Sequence, residues 1–133
     1  MDAACWLLWE SYWKFLMANA EQTVFYWRYY QSGYYTKELQ AKREKSFAVF
    51  IDFVRREGAA LGFSDIAALK SIVLKIADDS ISAAVKIHLG YIPRDAIPPE
   101  DIYRSAFSLL FHRLGLNIWN IPGSHQDIFP EGR

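Results

Sequence analysis

The sequence predicts an all-α protein, and three observations predict it. Apolar residues recur at steps of three and four along most of the chain, no alternating apolar and polar run is long enough for a strand, and the 133 residues include only seven glycines and five prolines. A chain of this length is the size of one domain and can bury roughly two thirds of the surface that its unfolded form exposes. With 52% hydrophobic and 23% charged residues, the composition is that of a packed globule and not of a disordered chain.

Five helices are expected. The first covers about Ala4 to Asn19, where Trp6, Trp9, Trp13 and Leu16 form a stripe widened by Tyr12 and Phe15. The second begins near Glu21, carries Phe25, Tyr26, Tyr29 and Tyr30, and stops at Gly33. The third runs from the N-cap Thr36 through Leu39, Phe47, Phe50 and Val54 to Leu61, with Gly62 as its stop. The fourth opens with Ser64 as N-cap and presents Ile66, Leu69, Val73, Ile76, Ile81 and Val85 before Gly90. Three prolines between Ile92 and Pro99 make a loop, Pro99 starts the fifth helix with Glu100 and Asp101 at its positive end, and Gly115 follows Leu114 as a C-cap. These helices place one domain over residues 1–116 and leave 117–133, with Pro122, Gly123, Pro130 and Gly132, as a tail.

Charge excludes several functions. Fifteen basic residues balance fifteen acidic ones, so the chain lacks the positive field that would hold a DNA duplex or an anionic bilayer. The run Lys37 to Lys45 mixes both signs and reads as a solvated helix face. The single Cys5 forms no internal disulfide and fits a reducing cytoplasm. Asp2, Glu10 and Lys14 break the pattern of a signal peptide, and no uncharged apolar run approaches the length of a membrane span. No Glu-x-x-His pair, glycine-rich phosphate loop or Cys/His cluster is present, so neither catalysis nor a cofactor or metal is expected.

The fifth helix is apolar on two sides: Ile102, Ala106, Leu109 and Leu110 along one, Tyr103, Phe107, Phe111 and Leu114 along the other. The fourth adds a strip of small residues, Ser80, Ala83 and Ala84, to its core stripe. Either these are central helices of a monomeric bundle, or Ile76, Ala83, Ala84, Tyr103, Phe107, Phe111 and Leu114 face a second copy of the chain.

The run Arg55-Arg56-Glu57-Gly58 with Leu61-Gly62, followed by a helix starting Asp65-Ile66-Ala67-Ala68-Leu69 and continuing to Asp79, resembles the junction of the seventh and eighth helices in TetR/AcrR-type transcriptional regulators. Trp9 to Ala20 and the short aromatic helix Gln22 to Ser32 are similar to the fifth and sixth helices of that family, and Glu100 to Leu114 to its last. The resemblance spans about Leu7 to Leu116 and rests on helix order more than on motifs. It implies a homodimer built as a four-helix bundle from the last two long helices of each chain, and a small-molecule pocket among the earlier helices. It also implies control of DNA binding through a separate N-terminal helix-turn-helix domain, for which the residues before Trp6 leave no room. The other reading is a free-standing helical protein that binds a small molecule or a partner without any DNA-binding part.

Twelve aromatic residues fall within the first 35 positions. Such a cluster forms either a core stripe or a pocket that holds a flat, amphipathic or cationic ligand. On the second reading the ligand-binding candidates are Trp9, Trp13, Phe25, Tyr29, Tyr30 and Phe50. Asp79 joins them as a possible partner for a cationic effector, against the alternative of an i, i+4 contact with Lys75 at the surface.

Overall fold

The computed structural model describes residues 2–34 and 36–115, which form six helices and, among those residues, no strand. They are α1 (Asp2–Ala18), α2 (Ala20–Tyr30), α3 (Lys37–Ser46), α4 (Ala48–Ala60), α5 (Ile66–His88) and α6 (Pro99–Leu114). The expected tail at 117–133, with Ile118, Trp119 and Ile121, lies outside the described residues, as does Tyr35. No helix among the described residues is long and apolar enough to cross a membrane.

The main departure from expectation is the third helix, which is two. The backbone leaves helical geometry at Phe47 (φ −104°, ψ 12°), so Phe47 closes α3 and opens α4. Neither proline nor glycine marks the break. The two segments have different partners: α3 is polar and turns Arg43 inward, while α4 buries Ile51, Val54 and Gly58. Phe47 sits edge-on against Tyr12 of α1, with ring centroids 5.5 Å apart, and that contact fixes the corner.

The remaining ends follow local chemistry. The Thr36 hydroxyl accepts the Leu39 amide at 3.3 Å, as expected of an N-cap. At α5 the cap is Asp65 and not Ser64: the Asp65 carboxylate accepts the Ala68 amide at 3.0 Å, placing a full negative charge where the helix dipole favours it. Gly62, Gly90 and Gly115 adopt positive φ behind their helices, whereas Gly33 does not, and α2 ends at Gln31 in right-handed geometry.

Helix α5 is the hub, packed against α6 most extensively and also against α1, α2 and α4. Eleven of its side chains are buried, including Leu69, Val73, Ile76, Ile81 and Val85. α6 returns antiparallel beside it: Leu69 at the start of α5 and Leu114 at the end of α6 both reach Gly58, where an added Cβ would stand 3.5 and 3.6 Å from their methyl carbons.

The second apolar side of α6 is covered within one chain. Tyr103 meets Trp6 and Trp9 of α1 edge to face at 5.2 and 5.5 Å, and Phe107 meets Phe50 of α4 at 5.8 Å. Tyr103, Phe107 and Phe111 are at most 1% exposed, and Ile76, Ala84 and Leu114 are also buried, with Ala83 packed against the core. The expectation of a dimer face is therefore corrected for the buried residues of this set: on α6, α1 and α4 cover Tyr103 and Phe107 on the side from which a second copy would have had to approach. The solvent side of α6 carries Asp101, Ser105, Ser108, Leu109 and His112.

Candidate functional site

Where α1 passes the corner between α3 and α4, the packing leaves a cavity of about 330 Å³ floored by α5. That volume is at the lower end of the range for small-molecule sites, about 300–1,000 Å³. Leu8, Trp9, Ser11 and Tyr12 line it from α1, Ser46, Phe47, Val49 and Phe50 from the corner and α4, and Val73, Ile76 and Ala77 from α5. The lining is mostly carbon. Its side-chain polar groups are the Ser11, Ser46 and Tyr12 hydroxyls and the Trp9 indole nitrogen.

Trp9 is the most constrained part of the wall. Its indole N–H donates to the Ser80 hydroxyl at 2.8 Å, and Ser80, wholly buried, donates in turn to the Ile76 carbonyl at 2.7 Å. Its ring lies between Trp6 and Trp13, with centroids 5.6 and 5.3 Å away, so three tryptophans stack along the inner face of α1. The stack is a consequence of three- and four-residue spacing on a helix.

Beyond Phe47 stands a polar cluster. Arg43 is 8% exposed; it pairs with Asp78 of α5, and its guanidinium carbon lies 4.6 Å from the Tyr30 ring centroid and 6.0 Å from that of Phe47. Arg43 was expected on a solvated face, and its burial corrects that reading. Tyr12 borders both cavity and cluster: burial pushes its phenol above the usual tyrosine range, partly offset by the charge of Arg43.

The sequence candidates separate. Trp9 and Phe50 line the cavity. Trp13 is buried behind Trp9 as core. On α2, Phe25 is 63% exposed and stacks on Tyr29 at 6.2 Å, while Tyr30 is taken up by Arg43, so none of the three lines the cavity. Asp79 is corrected as a ligand contact: its carboxylate accepts from Lys75 Nζ at 2.7 Å on the exposed side of α5, and its neighbour Asp78 is the one turned to the protein. Tyr12 and Phe47 were overlooked as lining residues, although Tyr12 lies three residues after Trp9 and Phe47 three before Phe50, so helical spacing alone puts them beside those walls. Ile76, assigned to a dimer face, forms part of the floor.

Comparison with protein-family models, with curated proteins and with solved structures found no match to this chain.

Proposed function

We propose that this chain is a ligand-sensing domain of the TetR type, in which a small aromatic or amphipathic effector occupies the cavity between α1, the α3–α4 corner and α5. The observation that carries the reading is the cavity itself: preformed, apolar, walled by a tryptophan that is both stacked and hydrogen-bonded, and supplied with a few hydroxyls. Such a combination binds by contact area and orients by one or two hydrogen bonds. The all-helical architecture is in keeping with a regulator of this type.

Signalling would run through α1. Four of its residues, Leu8 to Tyr12 with Glu10 excepted, form one wall, so a ligand that prefers one placement of α1 biases everything attached to that helix, including a DNA-reading domain. A homodimer belongs to the proposal, on surface other than the buried side chains of α5 and α6 described above.

A stand-alone helical binding protein is the second reading. It is favoured by the large apolar side chains on the outside of α1, α2 and α4, with Leu7 62%, Phe15 49%, Phe25 63% and Val49 78% exposed, more than a sensor of small molecules requires.

Native mass spectrometry of the protein purified from cells, beside the variant Ala77→Leu, tests the proposal. Extra mass released on denaturation and missing from Ala77→Leu is the expected result, on a dimeric species. A monomer with no retained mass, together with no stabilisation by any of a panel of apolar aromatics, would overturn it.

A further inference from the structure

We infer that the cavity selects an uncharged, mainly apolar planar ligand and rejects both carboxylate and ammonium analogues of the same shape. This inference rests on the reading of the cavity as a ligand site and specifies its ligand class.

No ionised side chain lines the cavity. Its hydrogen-bonding groups are hydroxyls and one indole N–H, and that N–H is already given to Ser80. The Ser46 hydroxyl donates to the Lys42 carbonyl of its own helix at 3.2 Å. The Tyr12 phenol, neutral at neutral pH, can donate or accept.

The nearest buried charge is Arg43, and it does not change this outcome. Its cation faces the Asp78 carboxylate on one side and the Tyr30 ring on another. A ligand anion brought towards Arg43 meets Asp78 as well, and a ligand cation brought towards Asp78 meets Arg43. Each charged ligand would thus surrender its hydration for a pair whose fields oppose one another. A neutral ligand loses little hydration, and at the mouth it covers Leu8 and Val49, which are 39% and 78% exposed.

The test is isothermal titration of the full chain at neutral pH with 2-naphthylmethanol, 2-naphthoate and 2-naphthylmethylammonium, which share a ring system and differ in charge. The alcohol is expected to bind at least about tenfold more tightly than either ion, in keeping with the cost of an unpaired charge. Val49→Lys, a change at an exposed position that leaves the core untouched, is expected to narrow the gap between naphthoate and the alcohol. An ion that binds as tightly as the alcohol, and loses its binding in Ala77→Leu, would overturn the selectivity while leaving the cavity as the ligand site. Failure of all three to bind would overturn the selectivity together with the site.

Discussion

The indole N–H of Trp9 donates to the hydroxyl of Ser80 across the α1–α5 contact, 2.8 Å apart and 71 residues apart in sequence. Both groups are buried, and the Ser80 hydroxyl donates in turn to the Ile76 carbonyl, so the chain of bonds is complete. Ser80→Ala leaves the indole N–H without its acceptor at a buried position. The cost expected is about 1–3 kcal/mol, read from urea unfolding. Ser80→Ala with Trp9→Phe should cost less than the sum of the two single changes, because the second removes the donor that the first strands.

Burial of the aromatic side of α6 within one chain makes a sharp prediction about Phe107. It is fully buried between Tyr103, Phe111 and Phe50. Phe107→Ala should destabilise by about 3–5 kcal/mol. Phe107→Asp should abolish the helical circular dichroism or the cooperative melt. A folded Phe107→Asp protein that had merely lost a dimer would mean that this side faces a second copy after all.

The ion pair beside the cavity is unequal, since Arg43 is buried and Asp78 is about half exposed. Removing the carboxylate takes its Asp78 partner from a buried cation, whereas removing the cation leaves a carboxylate that water can solvate. Asp78→Asn is therefore expected to cost about 1.5–3 kcal/mol. Arg43→Met, which keeps the aliphatic volume under Tyr30, should cost less. The order of the two midpoints in urea checks the asymmetry.

Much of the fold was legible because α1, α5 and α6 announce themselves: their apolar periods are long, and Pro99 and Gly115 bound α6, while α5 is capped by Asp65, one residue after the Ser64 that the sequence suggests. The break at Phe47 was not legible, since it is imposed by a tertiary contact with Tyr12 and carries no breaker residue. The site was half legible for the same reason. Periodicity finds which residues share a face of one helix, as it did for Trp9, but a cavity is a property of three elements meeting. Phe25, Tyr29 and Tyr30 have the composition of a pocket and the wrong position for this one. Asp78 and Asp79 are adjacent in sequence and nearly equal in chemistry, and only the angular offset of one helical residue decides that Asp78 meets Arg43 and Asp79 meets Lys75.

Alkaline pH offers a test of the Tyr12 environment. Burial raises this phenol above the ordinary tyrosine range of about 10 in the folded state, while the unfolded chain titrates near that value. Between the two values the unfolded state has released a proton that the folded state retains, so stability falls as pH rises. The contribution of Tyr12 is fully present below about pH 10 and is lost progressively above it. Tyr12→Phe has no proton to lose, so its melting temperature should fall less between pH 7 and pH 11 than that of the unaltered protein. An equal fall in both would show that burial does not raise the Tyr12 phenol above the ordinary range.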